Sequence, residues 1–193
     1  MKTLGSILTL LVIVALIAPA QQKVVHFKKL QEFLPTISLP GWERGKPRGS
    51  TQSAMGISTS EASIVYTGTR KEKQEVEDED GKKKMEEVEV STEISVKISD
   101  ISLVPFAAMA FAFQQEFENE TEDGYEKSVT IKKTFKGVEK VQKGDYKSCE
   151  LNFPVANRFM VEIRGSNIDD VQLLHKLAES MDLAKLEKTT AEK

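Results

Sequence analysis

Few residues in this sequence are suited to nucleophilic or metal chemistry. It contains two histidines, His26 and His175, and one cysteine, Cys149. A zinc site takes His and Cys ligands at short spacings, and neither histidine lies in an H-E-x-x-H pattern. Cys149 and His175 have the residue types of a nucleophile pair, but two isolated residues do not specify one. His175 precedes Glu179 by one helical turn, which predicts an ion pair between them.

An acidic run over residues 76–87 has part of a calcium-loop pattern. Asp78 and Asp80 fit positions three and five of the twelve-residue loop. Position one, which needs a carboxylate, is Val76, and the run leads into a strand pattern where a helix is required. We therefore interpret it as a solvated, charged hairpin, and we predict no metal, no cofactor and no catalytic residue.

Sequence motifs of the common enzyme classes are also missing. No G-x-G-x-x-G, phosphate-binding-loop or G-x-S-x-G pattern occurs. The 30 acidic residues nevertheless offer many carboxylate pairs of the kind that hydrolases use. A non-enzymatic protein is the leading hypothesis, and a hydrolase that works with acidic residues is the alternative.

The composition is that of a mildly acidic chain long enough for one domain. It has 193 residues, 27 basic and 30 acidic, with a formal net charge of −3. Binding to phosphate backbones requires a positive surface, so we expect no nucleic-acid partner. With one cysteine no intramolecular disulfide can form; Cys149 is either a buried, unreactive thiol or half of an intermolecular bond.

The first twenty residues have the composition of an export signal. Lys2 precedes an apolar run over 4–18, and the sequence APA at 18–20 fits the small-x-small cleavage pattern. The run is shorter than the ~20 apolar residues of a typical membrane-spanning helix. We predict a cleaved signal peptide over 1–20 and a periplasmic or extracellular location. The alternative is a retained N-terminal helix, which would then be the protein's membrane contact.

Residues 21–60 are predicted to form a helix followed by an irregular segment. Apolar residues at helical spacing over 24–35 end at Pro35. From residue 40 to residue 60 the chain is rich in Gly, Ser, Thr and Pro, which is typical of loops. This segment contains the only tryptophan, Trp42, followed by the basic run RGKPR at 44–48.

A long hairpin is predicted at the start of the main domain, which we place at 61–186. Residues 62–69 have a strand composition, and apolar residues alternate strictly with polar ones from 88 to 98. Asp80-Gly81 suits a tight turn between these two strands. The charged residues 70–87 would then project beyond the sheet.

The rest of the domain is predicted to contain strands linked by turns, hence an antiparallel sheet. Two helices are predicted at 103–117 and 168–181, the second with Asn167 as its N-cap. The tail over 187–193 is expected to fray. The strands are predicted at 128–135, 138–143, 146–153 and 157–165.

The predicted helix over 103–117 has two apolar stripes. One stripe would pack on the sheet and contains Phe106, Met109, Ala110, Phe113 and Phe117. The opposite stripe would be covered by the 40–60 segment or be left for a partner. The predicted partner surface combines that second stripe with the basic loop and consists of Val104, Ala108, Phe111, Trp42, Arg44 and Arg48.

Six stretches occur in an order that resembles the PsbP-like (DcrB-like) superfamily of small exported proteins. They are LPGW (39–42), SEASIVYTG (60–68), ISVKISD (94–100), LVPFAAMA (103–110), NRFMVEIRG (157–165) and IDDVQLLHKLAESMDLAKL (168–186). The resemblance implies an α+β fold, an antiparallel β-sheet flanked by helices in an α/β/α sandwich, here with a long charged hairpin. It carries over no catalytic or cofactor residue.

Members of that superfamily include accessory subunits of membrane complexes and envelope proteins of unassigned role. The resemblance, the signal segment and the missing motifs together predict an exported, non-enzymatic accessory or binding module. Its expected partner is a protein of the cell envelope. The alternatives are an extracytoplasmic hydrolase that uses acidic residues and a membrane-anchored subunit that retains its N-terminal helix.

Overall fold

A computed structural model of the chain describes residues 23–54, 57–77, 83–101, 113, 115–144, 146–156 and 158–190. Several predictions fall outside these residues. They concern the signal peptide over 1–20, the turn at Asp80-Gly81, the calcium-loop position Asp78, most of the helix over 103–117, and three residues of the partner surface, Val104, Ala108 and Phe111.

The described residues form nine strands and three short helices. The strands are β1 (Trp42–Arg44), β2 (Arg48–Ala54), β3 (Ile57–Glu77), β4 (Lys83–Asp100), β5 (Glu118–Thr121), β6 (Gly124–Ile131), β7 (Phe135–Gln142), β8 (Ser148–Val155) and β9 (Phe159–Ser166). The helices are α1 (Phe27–Gln31), α2 (Val171–Ser180) and α3 (Leu183–Glu187).

All nine strands join one antiparallel sheet. Its order is β1-β3-β4-β9-β8-β7-β6-β5, and β2 also pairs with β3. Both β1 and β2 fit on the outer edge of β3 because that strand is 21 residues long. The alternation that predicted a strand over 88–98 is confirmed by β4, whose even-numbered residues from Thr92 to Asp100 are buried.

The helical segments pack on the same face of this sheet. Paired residues share a face, and one row of pairs links Ile64 on β3 through Ile163 on β9 to Glu139 on β7. Tyr66, on that same face, donates its hydroxyl to the Pro35 carbonyl after α1 at 3.2 Å. At the other end of the row Glu139 contacts α2. The apolar core lies between this face and the helices.

The predicted α/β/α sandwich, which the family resemblance also implied, is wrong. The described chain is dominated by one large antiparallel sheet with three short helices. Within the described residues, the second face of the central strands carries mainly polar and charged side chains, such as the ion pair of Lys97 with Glu162, although Val65 and the buried Met160 also lie on it. Apolar periodicity predicted a longer helix than the structure contains. In the run over 24–35 only the short helix α1 forms, because the chain leaves it through a turn in which Phe33 and Leu34 are buried.

The predicted irregular segment over 40–60 instead contains β1, β2 and the start of β3. These strands form without an apolar alternation because backbone pairing and hydroxyl contacts across strands hold them in the sheet. Thr51 and Ser60 hydroxyl oxygens lie 2.8 Å apart, as do those of Ser53 and Ser58. Such Ser/Thr pairs stabilise a sheet without burying apolar area.

The end of the predicted helix over 103–117 is not helical. The amide of Phe117 donates to Ser128 Oγ at 3.0 Å, and its carbonyl accepts from the Ser128 amide at 2.9 Å. These bonds lead directly into β5. Phe117, predicted to face the sheet, is 37 % exposed.

The predicted strand over 128–135 is broken by a turn. Lys132 and Lys133 adopt positive φ values of 49° and 60°, so β6 ends at Ile131 and β7 begins at Phe135. Gly137 lies within β7. A Cβ there would stand 2.6 Å from the carbonyl oxygen of Asn152 and 2.7 Å from Phe153 Cβ, so close strand packing requires the glycine.

The predicted C-terminal helix over 168–181 corresponds to the shorter α2, and a further helix, α3, follows beyond the predicted range. Asp170, rather than Asn167, caps α2, its carboxylate accepting from the Gln172 amide at 3.1 Å. Asn167 instead has a φ of 59° and donates its Nδ2 to the Ser91 carbonyl at 2.8 Å. The chain extends at Met181 before Asp182 caps α3.

Candidate functional site

A buried carboxylate stands between the sheet and α2. The residues of β7 that face the helices are Phe135, Gly137, Glu139 and Val141, all buried. Glu139 is therefore an acid in a core position, with only 4 % of its side chain exposed. A charged group in such a position requires partners that replace water.

Three side chains from two elements supply those partners. His175 on α2 places Nε2 2.5 Å from Glu139 Oε2. On β6, Tyr125 donates its hydroxyl to Oε1 at 2.6 Å, and Lys127 Nζ lies 3.6 Å from the same oxygen. Lys127 also lies 4.7 Å from the centre of the Tyr125 ring. We call these four residues the Glu139 cluster.

The Glu139 cluster keeps its carboxylate ionised. Burial raises the pKa of Glu139, but hydrogen bonds from His175 and Tyr125 and the nearby charges of His175 and Lys127 lower it more, so the net pKa is below its ordinary value. The pKa of Tyr125 is raised by burial and by the hydrogen bond to Glu139, so the phenol stays protonated.

Cys149 lies on the same sheet face, on β8 opposite Val141. Its side chain is buried, and burial together with the charges of Asp170 and Asp169 raises the pKa of the thiol to about 12. The thiolate is the nucleophile in cysteine chemistry, so this thiol is unreactive in the folded state. The predicted alternative of a buried, inert thiol agrees with this position.

The Glu139 cluster replaces the predicted pair of His175 and Glu179. Sequence reasoning missed it because His175 bonds across to the sheet and not along its helix. The one signal was an acid in the sequence FKGVEKVQ, but Val138 and Val141 in that stretch point to opposite faces. The sequence alone therefore does not indicate which face of β7 is buried.

A second feature is a charged two-stranded ribbon. β3 and β4 continue to pair beyond the rest of the sheet, from Thr69↔Ser91 to Glu77↔Lys83, which is nine pairs and roughly 30 Å of strand. Within the described residues, neither outer edge of this stretch pairs with another strand. We call residues 69–77 and 83–91 the ribbon.

Ion pairs between and along the two strands cover the ribbon. Lys71 Nζ lies 3.0 Å from Glu87, and Lys83 Nζ lies 2.7 Å from Glu75. All four side chains are more than half exposed, so water screens these contacts and each is worth little. At the base of the ribbon Lys147 lies 3.8 Å from Glu72, which ties it to the loop before β8.

The predicted partner residues that the structure describes do not form one surface. Trp42 and Arg44 pair with Gly68 and Tyr66 and share their face, whereas Arg48 pairs with Ser63 on the other face. The Arg44 guanidinium donates to the Pro35 carbonyl at 3.1 and 3.0 Å, which fixes it to the chain after α1. Trp42 is half-buried against the core. Of these three residues, only Arg48 is exposed.

Searches for wider likeness give no guide to the function. No family model, no curated protein and no solved structure matches this chain. Among the described residues, no group of three or more His, Cys, Asp or Glu side chains is placed to hold a metal ion. No helix in the described ranges is long and apolar enough to cross a membrane.

Proposed function

We propose that this protein is an exported, non-enzymatic binding or accessory module, and that the ribbon is its contact element. The observation that carries the proposal is the extension of β3 and β4 over nine pairs beyond their last neighbours. Eleven of the eighteen ribbon residues are charged, and an exposed strand edge is a ready template for pairing with another chain.

The packing of the ribbon supports this role. The ion pairs of Lys71 with Glu87 and of Lys83 with Glu75 are exposed and contribute little to folding. Among the charged side chains of the ribbon, only Arg70 and Glu72 at its base are half-buried. A segment that the fold does not need for stability is free to be shaped for recognition. The partner is proposed to be a protein of the cell envelope, because the N-terminal sequence has the composition of an export signal.

The test uses the full chain, tagged at its C-terminus and produced in the organism that makes it. A shortened chain has residues 73–87 replaced by Asn-Gly, which forms a two-residue hairpin between the paired residues Glu72 and Val88. As a matched control, K71E/E87K keeps the length and one ion pair. A defined partner should copurify with the full chain and be lost with the shortened one. Equal recovery from both chains, or recovery of the full chain alone, contradicts the proposal.

Export is tested on the same purified chain by N-terminal sequencing. We expect the mature chain to begin at Gln21. A chain that begins at Met1 rules out cleavage and supports the alternative of a retained N-terminal anchor.

A hydrolase is the second candidate, and the contact between His175 and Glu139 favours it. A carboxylate bonded to one imidazole nitrogen holds the ring in one orientation and tautomer. The His175 side chain is 23 % exposed, and in this candidate function its second nitrogen accepts a proton from the attacking water. Ester and glycoside hydrolysis by the purified chain and by H175Q tests this candidate. Turnover that H175Q abolishes supports it; no turnover, or an equal rate, refutes it.

A further inference from the structure

The outer edge of β4 in the ribbon offers backbone hydrogen-bonding groups. The Ser91 carbonyl accepts from Asn167 Nδ2 at 2.8 Å, on the side away from β3. Along a strand the N–H and C=O groups alternate in direction with a period of two residues. Glu87, Met85 and Lys83 are separated from Ser91 by even numbers, so their groups also point outward. Among the described residues, no strand lies beside them.

Hydrogen-bond geometry limits how two copies of this edge could pair. In an antiparallel pair, residues whose backbone groups point toward the partner strand must lie opposite residues of the same kind. Because such residues alternate along each strand, a two-fold axis between two identical edges must pass through a residue position and not between two neighbouring residues. In the middle of the segment the choices are Lys84, Met85 and Glu86.

Charge selects one of these three registers. An axis through Met85 places Lys84 opposite Glu86 and Lys83 opposite Glu87, each twice by symmetry. An axis through Lys84 or through Glu86 places like charges directly opposite each other. Opposite charges across a strand pair are stabilising, and like charges are destabilising. The sequence of this edge is therefore self-complementary in a single register.

The side chain at that axis is a large apolar residue in water. Met85 is 63 % exposed, in a ribbon otherwise dominated by charge. In the register centred on Met85, the two Met85 side chains lie next to each other on one face of the extended ribbon. Pairing would bury the two Met85 side chains against each other, whereas in the monomer each side chain stays in water.

We propose that residues 83–87 of β4 pair antiparallel with the same residues of a second copy of this chain, with a two-fold axis at Met85. The two ribbons then form one four-stranded ribbon. The inference rests on the proposed function in treating the ribbon as a contact element, and it names a second copy as a partner. The contact is small, so we expect a reversible dimer of the weak, transient class.

The monomer's own ion pairs do not prevent this contact. In the single chain Lys84 bonds to Glu86 along β4, at 2.8 Å, while Lys83 and Glu87 bond across to Glu75 and Lys71. All of these side chains are between 47 % and 70 % exposed. Such pairs exchange partners at little cost. Charged edges also serve to block pairing, and that role would leave the protein monomeric.

Disulfide trapping tests the register. At a hydrogen-bonded antiparallel pair the Cα atoms lie ~5.5 Å apart, within the range that a disulfide spans. M85C should therefore form a covalent dimer under mild oxidation. E89C, on the same edge, is the control, because this register puts the two introduced thiols ~27 Å apart. Cys149 is buried and does not interfere. Q74C is a second control, which would crosslink if two copies paired through their β3 edges. The charges on β3 around residue 74 are also complementary to those of a second copy in an antiparallel pair.

We expect M85C to crosslink at least about tenfold faster than E89C and Q74C. Crosslinking of M85C no faster than E89C overturns the proposal, and so does faster crosslinking of Q74C. If M85C fails while the shortened chain still loses its copurifying partner, self-pairing is refuted and the proposed function stands. If M85C crosslinks while the shortened chain keeps that partner, self-pairing is supported and the proposed function is refuted.

Sedimentation equilibrium with charge variants tests the pairing without cysteines. K84E turns two attractive pairs into repulsive ones and should weaken dimerisation about tenfold. K84E/E86K restores opposite charges in the same register and should restore the dimer. An unchanged dimer with K84E, or no recovery in the double variant, contradicts the two-fold axis at Met85.

Discussion

The Glu139 cluster and the ribbon both place acidic and basic groups in contact, but they differ in their access to water. The Glu139 side chain is 4 % exposed, while Lys71 and Glu87 in the ribbon are 69 % and 52 % exposed. A buried charge that loses a partner cannot regain water, whereas an exposed charge can. One buried carboxylate therefore matters more to the fold than the whole set of ribbon ion pairs.

We propose that this difference separates stability from recognition within one sheet. The core side chains Leu151, Ile163 and Leu174 are fully buried between β8, β9 and α2. The ribbon extends from the same sheet with none of the described helices over it, and its charged side chains other than Arg70 and Glu72 are exposed. Substitutions in the two regions should therefore have effects of very different size.

Thiol reactivity should show the largest contrast. Burial raises the pKa of Cys149 from 9.0 to about 12, which lowers its thiolate fraction about a thousandfold at neutral pH. An M85C chain has a second thiol on the exposed ribbon. Alkylation followed by mass spectrometry should modify this introduced thiol rapidly and Cys149 only when the chain unfolds. Comparable rates at the two thiols would contradict the burial of Cys149.

Loss of His175 should have the largest effect on stability. H175L leaves the Glu139 carboxylate buried with one fewer hydrogen bond, and we expect unfolding to require about 2–4 kcal/mol less free energy. Urea unfolding measures it. K176L, an exposed neighbour on α2 with the same new side chain, should lie within about 0.5 kcal/mol of the original chain. A similar value for both variants would show that the contact with Glu139 is not needed.

The pH dependence of stability should come partly from Glu139. Its folded-state pKa is below the ordinary value of 4.5, so the unfolded state binds this proton more readily. The carboxylate's contribution is complete above pH 4.5 and is lost as the pH falls through the folded-state pKa. E139Q should unfold with a flatter acid dependence, while E87Q in the ribbon should keep the original slope. Identical slopes for both variants would contradict this role of Glu139.

Breaking a ribbon ion pair should have the smallest effect. K71A removes the contact with Glu87, and we expect a change below about 0.5 kcal/mol in the free energy of unfolding. The same urea experiment at low and high salt measures it. A loss of about 2 kcal/mol or more would place the ribbon among the elements that hold the fold.

The sequence predicted the long strands well because they alternate. From Val88 to Ile98 one residue in two is apolar or threonine, and such a pattern fits a strand with one buried face. It failed for β1, β2 and β5, whose residues are mostly polar. Those strands exist because a neighbour supplies backbone partners, and that partner is set by tertiary pairing and not by local composition.

The candidate site was only partly visible in the sequence. His175 stood out as one of two histidines, but its partner Glu139 is 36 residues away and on another element. No periodicity links a helix residue to a carboxylate on β7. The ribbon, by contrast, follows from a local pattern of charge and alternation over residues 70–98.

The most direct test of this account is the free energy of unfolding of the chain shortened at residues 73–87. We place the fold's stability in the helix-covered sheet and propose that recognition belongs to the ribbon. The shortened chain should therefore unfold in one cooperative urea transition, within about 1 kcal/mol of the full chain. A loss of about 3 kcal/mol or more, or a transition that is no longer cooperative, would show that the ribbon is part of the fold's core and contradict the separation of the two regions.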